Sequence, residues 1–264
     1  MIMKTEASMV DYSLNWYKSF AGEAALARVD DICAEIMSET FGYYALETGV
    51  LSGHHDLLKY SRIAAGFSLV SPSLKPFVNI NSTTMLISQL EQLPIATDNV
   101  DLIVASHVLE MSSNPHQVLR EIDRVLVPEG HCILIGFNPF VITRVKRLFN
   151  AVFGNKKHDF KMRSVTRVRD WFSLLGFEVM DVHYMGLRPG LKNRKLFDSL
   201  GWLEKWGEYA GPLLGNMYVL HVKKQVVAMR PYKKVWKAPA VLSGGKVVLN
   251  NTAQKIRKEN YYNL

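Results

Sequence analysis

Apolar residues along this chain fall into short continuous runs: YYAL at 43–46, FSLV at 67–70, FVNI at 77–80, DLIVAS at 101–106 and CILIGF at 132–137. Polar or helix-periodic stretches separate them. Continuous apolar strands that alternate with helices predict a parallel sheet covered on both faces. Ahead of the sheet, residues 11–40 read as helical, because EAALARVDDICAEIM sets Ala25, Val29, Ile32 and Ile36 on one stripe. In SSNPHQVLREIDRVLVPEG, Asn114 is a good N-cap and Pro115 suits the first helical position. Val118, Leu119, Ile122, Val125 and Leu126 form the buried face of that helix, and Pro128 and Gly130 are expected to stop it. VTRVRDWFSLLGFEVMDVHYMG reads as a helix, a glycine stop at Gly176 and a strand, and MYVLHVKK at 217–224 is the last strand. From Ala228 the periodicity dissolves, which predicts a disordered tail. The expected organisation is an N-terminal helical cover (1–40), an α/β domain (41–227) and a basic tail (228–264).

Composition changes this picture little, and charge changes it more. A chain of 264 residues that is 48% hydrophobic is long enough to bury one large core. Residues 1–139 carry 8 Lys/Arg against 16 Asp/Glu, whereas 140–195 carry 13 against 4 and 228–264 carry 8 against 1. The net +8 therefore resides in two segments, and only these argue for a nucleic acid or an anionic membrane surface as partner. Cys33 and Cys132 stand far apart and suggest neither a disulfide nor a metal site. No apolar stretch approaches the ~20 residues of a membrane span, so a cytoplasmic protein is expected.

The stretch YYALETGVLSGHHDLL at 43–58 places a glycine turn between a strand and a polar, helix-like segment. Such turns bring backbone N–H groups and a helix N-terminus toward the phosphate or sugar end of a cofactor. A tight turn that binds nothing is the plainer alternative. Farther on, LEQLPIATDNVDLIVASHVLEMSSNPHQVLREIDRVLVPEGHCILIGFNP at 90–139 carries Leu93-Pro94, Val100 to Val104, Val108-Leu109-Glu110, Leu119-Arg120-Glu121, Arg124-Val125-Leu126 and Pro128 with Gly130. These residues resemble the second half of a class I S-adenosylmethionine-dependent methyltransferase, in the branch that includes the quinone-biosynthesis C-methyltransferases.

The resemblance implies a doubly wound, mostly parallel seven-stranded Rossmann-like sheet with helices on both faces and an antiparallel last strand. It implies S-adenosylmethionine as cofactor, lying across the carboxyl ends of the first strands, the place the rule for open sheets also assigns. The family's acidic-x-Gly-x-Gly-x-Gly loop becomes Glu47-Thr48-Gly49-Val50-Leu51-Ser52-Gly53, with Leu51 in place of the middle glycine. Ser71 stands where the family offers a carboxylate to the ribose, and Gln89-Leu90 replace an Asp-Ala pair near the adenine. With Ser106 at the end of the fourth strand, Glu47, Gly49, Gly53, Ser71, Gln89 and Leu90 are the expected cofactor contacts. His107 can accept a proton from an acceptor nucleophile. Asn138, in a turn after the fifth strand, is a candidate acceptor contact, and no metal is expected. The expected activity is methyl transfer to an unidentified, small-molecule acceptor. The rival readings are a non-catalytic binding or scaffold protein and a nucleic-acid-associated one.

Overall fold

The computed structural model describes residues 2–74, 85–140, 162–186 and 215–225, together with Arg194 and Ser199. The expected strand at 77–80, most of the basic stretch after the fifth strand and the predicted tail from 228 lie outside the described residues. Those described belong to one compact unit, Met1–Val227.

Seven strands form one sheet: β1 (Tyr44–Gly49), β2 (Ala65–Val70), β3 (Met85–Ile87), β4 (Val100–Ser106), β5 (Leu126–Phe137), β6 (Phe177–Met185) and β7 (Met217–Lys224). Their order is β3-β2-β1-β4-β5-β7-β6. The first five run parallel, while β7 is antiparallel to both β5 and β6. The doubly wound sheet and its antiparallel last strand are those expected from the sequence. The chain winds outward from β1 to β3, then returns to lay β4 on the other side of β1. The winding therefore reverses between β1 and β4, where connections leaving in opposite directions open a crevice at the carboxyl ends.

Alternate residues of each strand feed two apolar cores. On one face, α2 (Phe20–Ser38) brings Ala25, Val29, Ile32 and Met37 onto Ala45, Leu102, Val104 and Ile133. On the other, α4 (Pro115–Val125) and α5 (Val165–Leu174) bring Val118, Ile122, Val168 and Phe172 onto Leu46, Ile103, Leu134 and Leu220. A short helix, α3 (Val108–Met111), follows β4. The helical cover read as one segment is two helices, α1 (Ile2–Tyr17) and α2. Ser19 makes the break: its hydroxyl donates to the Trp16 carbonyl at 2.6 Å and accepts from the Gly22 N–H at 3.1 Å, which caps the new helix.

Asn114 caps α4 as the sequence suggested, its side-chain oxygen taking the Gln117 N–H at 3.3 Å. The helix stops earlier than Pro128, because the Asp98 and Asn99 N–H groups bond the Arg124 and Val125 carbonyls, both at 2.9 Å, and draw the chain into β5. Pro128 to Gly130 thus belong to the irregular start of that strand, where Glu129 has φ +63°.

The Glu and Arg of the LREIDRVL motif form a structural clamp. Arg124 donates to Glu121 at 2.8 and 3.0 Å, to the Leu93 carbonyl at 3.0 Å and to the Ile95 carbonyl at 2.8 Å. Glu121 also accepts the Leu93 N–H at 2.9 Å. The guanidinium holds the Glu121 carboxyl below its usual range, and the carboxylate raises Arg124 in turn. The Leu-Pro turn that leads from β3 to β4 is thereby pinned to α4. Arg124→Met should cost about 1–3 kcal/mol in urea unfolding, since several charge-assisted bonds to backbone carbonyls are lost at once. Arg124→Lys should recover little, because an ammonium cannot span the same acceptors.

Candidate functional site

At the crevice, β1 ends in a glycine that nothing else can replace. Gly49 has φ +102°, and a Cβ there would lie 1.8 Å from the Ser106 carbonyl oxygen. That oxygen accepts the Val50 N–H at 2.9 Å. The Ser106 hydroxyl accepts the Leu51 N–H at 2.9 Å and donates to the Thr48 carbonyl at 3.1 Å. The turn then closes on itself: Ser52 N–H bonds the Gly49 carbonyl at 3.2 Å, and the His54 and His55 N–H groups bond the Leu51 carbonyl at 2.9 and 3.0 Å. Leu51 is 2% exposed and packs in the same core as α2 and Leu57. The residue replacing the family's middle glycine thus turns away from the crevice, and the turn is built around it.

The helix-like segment after the turn is a single 3-10 turn, Leu57–Tyr60, capped by Asp56 through the Leu58 N–H at 3.0 Å. No long helix N-terminus faces the crevice here. Gly53 supplies a second left-handed position at φ +77°. Glu47, 2% exposed, lies within β1 below the turn. One of its carboxylate oxygens, Oε2, accepts the Leu57 N–H at 3.2 Å, and Oε1 has no hydrogen-bond partner among the described residues. Burial, with a smaller contribution from Asp56, pushes its carboxyl up to about 8 against the opposing Leu57 hydrogen bond.

The other expected contacts are spread along the carboxyl edge. Ser71, just past β2, is buried and its hydroxyl pairs with that of Ser73 at 2.9 Å. Beyond β3, Gln89 is exposed, whereas Leu90 sits in the core. Asn138, past β5, is 2% exposed; its N–H donates to the Asn216 carbonyl at 2.8 Å and its side-chain oxygen accepts the Phe140 N–H at 3.2 Å. That pattern is an Asx turn ending a strand. His54 is exposed and His55 pairs with Asp30 at 2.8 Å. Among the described residues no group of three or more His, Cys, Asp or Glu can hold a metal ion.

His107 occupies the position after β4, at the carboxyl edge of the sheet, in the left-handed region at φ +55°. It is fully buried, with its N–H on the Ile135 carbonyl at 2.8 Å and its ring stacked on Phe137 at 4.2 Å. Its Nε2 is hydrogen-bonded to the Tyr17 hydroxyl at 2.6 Å, and its Nδ1 lies 3.8 Å from the Glu110 carboxylate. Tyr17 comes from the end of α1, also touches the Met217 sulfur at 3.8 Å, and adjoins Trp16, which packs edge-on against Phe137. Burial, then the Glu110 charge, holds the Tyr17 phenol well above its usual range, so it is neutral. Sequence reasoning missed Tyr17, because nothing local tells a buried helix-end tyrosine from any other aromatic of the cover. The structure thus brings Gly49, Ser106, His107 and Asn138 to adjacent strand ends, sets Ser71 and Gln89 at their flank, and leaves Glu47 and Leu90 in the interior.

Known proteins agree with this architecture. Residues 65–134 match the sequence family described as a methyltransferase domain. An uncharacterized protein of Escherichia coli, YafS, is 26% identical over 197 residues, covering 72% of this chain and 77% of YafS. A chain from the complex between the Haloferax volcanii Trm112 methyltransferase activator and a methyltransferase superposes with a TM-score of 0.58 at 16% identity, over 86% of this chain and 98% of that one. An S-adenosylmethionine-dependent methyltransferase of Thermotoga maritima gives 0.57 at 14% identity, over 85% and 100%.

Two expectations follow from the turn. Leu51→Gly should destabilise by about 3–5 kcal/mol in urea unfolding, because it empties a core site and frees the backbone. Gly49→Ala should cost more than about 3 kcal/mol by the same measurement, since strain at positive φ adds to a collision with backbone. A third concerns Glu47. Its folded-state value lies above the ordinary 4.5, so the folded state holds a proton that the unfolded state releases, and stability falls as pH rises from about 4.5 to about 8. In Glu47→Gln that decline should be smaller over the same window, and the variant should be the more stable form at pH 8.

Proposed function

We propose that this chain, which carries the class I S-adenosylmethionine-dependent methyltransferase fold and matches the methyltransferase domain over residues 65–134, transfers a methyl group from S-adenosylmethionine to a small-molecule acceptor. One observation carries the reading. Gly49, Ser106 and His107 stand at the paired ends of β1 and β4, where the winding of the sheet reverses, which is where open α/β sheets bind their ligands, and Asn138 ends the next strand.

The residues at the flank fit the cofactor better than the turn does. The Ser71 hydroxyl can serve a ribose hydroxyl and the exposed Gln89 amide an adenine edge. The Val50, Leu51 and Ser52 N–H groups are spent inside the turn. Affinity should therefore rest on the ends of β2 and β3. When bound, S-adenosylmethionine supplies an electrophilic methyl on a sulfonium, and transfer from it needs positioning and a dry site more than covalent help. In this chain, α1 and Phe137 close the site over His107 and exclude water. Tyr17 can relay a proton from an acceptor: its hydroxyl gives its own proton to His107 Nε2 as it takes the acceptor's, with the Glu110 carboxylate beside Nδ1 to steady the imidazolium.

A non-catalytic binding or scaffold role is the second reading, favoured by the self-satisfied turn and by the Tyr17–His107 contact that covers the site. An anionic acceptor or partner is the reading that the basic segment supports, with Arg167 and Arg169 exposed on α5. Calorimetric titration with S-adenosylmethionine and S-adenosylhomocysteine decides between enzyme and scaffold. Saturable binding is expected, weakened about tenfold in Gln89→Ala, the loss of one hydrogen bond of about 1.4 kcal/mol. No binding at millimolar ligand would favour the scaffold.

A further inference from the structure

Toward the amino end of β5, away from the strand ends that hold Gly49 and His107, three strands gather titratable side chains on one face. His131 opens the regular part of β5, directly after the irregular start that holds Glu129 at φ +63°. His131 pairs with Lys223 and Ile133 with His221, which sets the two histidines diagonally across β5 and β7. Their rings meet, with His131 Nδ1 hydrogen-bonded to His221 Nε2 at 2.8 Å. On the far side of His221, which is 7% exposed, the carboxylate of Asp181 lies 3.9 Å from Nδ1. Asp181 reaches this place on the edge strand β6 through a bulge: Val179 pairs with Val222 and Asp181 with His221, which leaves Met180 without an opposite and exposed.

Two imidazole nitrogens at this distance hold one proton between them, so one ring donates and the other accepts. The Asp181 carboxylate favours a proton on His221 Nδ1, which leaves Nε2 bare to accept from His131 Nδ1–H. A first added proton goes to the outer nitrogen of His131, Nε2, and leaves the bond standing. A second has only His221 Nε2 to take, and two N–H groups then face each other between two positive rings. Burial draws His221 down to about 4, with His131 adding to the effect and Asp181 opposing it. Burial lowers His131 as well, with Lys223 adding and Glu129 opposing. Among the described residues, the groups that act on the pair therefore come from all three strands: Glu129 on β5, Lys223 on β7, Asp181 and His183 on β6. Lys223 is itself paired with Glu129 at 2.7 Å. From α2, which covers the neighbouring strands, the Cys33 thiol is pushed by burial up to about 12 and is neutral, and Asp30 is held by Lys59 and His55.

We propose that this cluster is an acid-operated latch on the last three strands: with His221 neutral the pair ties β5 to β7 beside Asp181 of β6, and double protonation releases that end of β6 and β7 while the rest of the sheet stays closed. The device is built of strand residues remote from the expected cofactor contacts, and it stands whether or not the chain transfers methyl groups. The folded value of His221 lies below the ordinary 6.5, so the opened strands bind a proton that the closed ones exclude. The latch therefore contributes fully above about 6.5, and its contribution is lost as pH falls toward about 4. Glu47 acts in the opposite direction, so a loosening in acid that is confined to these strands cannot come from it.

The test is hydrogen exchange of the full chain at pH 7.5 and 5.5, read at single amides and expressed as protection relative to an unfolded chain at the same pH. Protection at Val179 to Val182 and at Val219 to Lys223 should fall by about tenfold or more in acid, as an imidazole freed to its ordinary value takes up its proton, while that of β1 and β4 does not fall. In the double variant His131→Asn, His221→Gln, amides stand in for the two facing nitrogens and neither titrates. Its protection at pH 7.5 should be kept and the fall in acid abolished. If that variant fails to fold, the ring nitrogen spectrum of the parent decides: His221 should carry its proton on Nδ1 at pH 7.5 and stay neutral at pH 5.5. Unchanged protection between the two pH values, an equal fall throughout the sheet, an undiminished fall in the folded double variant, or a His221 ring that titrates as a free imidazole would each overturn the proposal.

Discussion

The Ser106 hydroxyl is the pivot of the molecule. It joins the end of β1 to the end of β4 by accepting the Leu51 N–H and donating to the Thr48 carbonyl, while its own carbonyl accepts the Val50 N–H. Gly49 must pass within touching distance of that carbonyl, so its left-handed backbone is fixed by the pairing of β1 with β4. Once the two strand ends are joined in this way, the direction of Leu51 follows. It points into the α2 core, and the turn has no inward-facing gap to fill. The same junction presents His107 one residue later, in the left-handed conformation from which α3 begins.

From that junction the rest of the site is a matter of cover. α1 lays Trp16 and Tyr17 over Phe137 and His107, converting an open crevice at the strand ends into a dry interior. A dry interior favours a reaction that is mostly positioning, and it also lets Glu110 act at close range on both Tyr17 and Tyr218. The two-residue break at Lys18 and Ser19 ties this cover to α2, which is anchored by the larger core. Because fold does not dictate chemistry, the methyl-transfer reading rests on this arrangement of residues together with the family match.

Much of this was legible in the sequence because burial is periodic. The strands at 43–46, 67–70, 101–106 and 132–137 were visible as continuous apolar runs, since strands covered on both faces have no polar side to show. The α4 cap at Asn114 was readable for a local reason, a side-chain oxygen three residues before an orphan N–H. What escaped was non-local. Leu51 showed only as a replaced glycine, because its partners, Leu57 and α2, are fixed only by the tertiary fold. His107 looked open to an acceptor, because Tyr17 reaches it from 90 residues away. The shortened crossover after β1 was hidden by a polar segment whose composition suits a helix.

The central claim is that ligand binding centres on the point where the sheet's winding reverses. Backbone amide chemical shifts, followed during titration of isotope-labelled full-length protein with S-adenosylhomocysteine, test it most directly. The account predicts that the largest perturbations fall at Gly53, Ser71, Gln89 and His107, with β6 unmoved. Perturbations confined to β6 and β7, or none at saturating ligand, would contradict it.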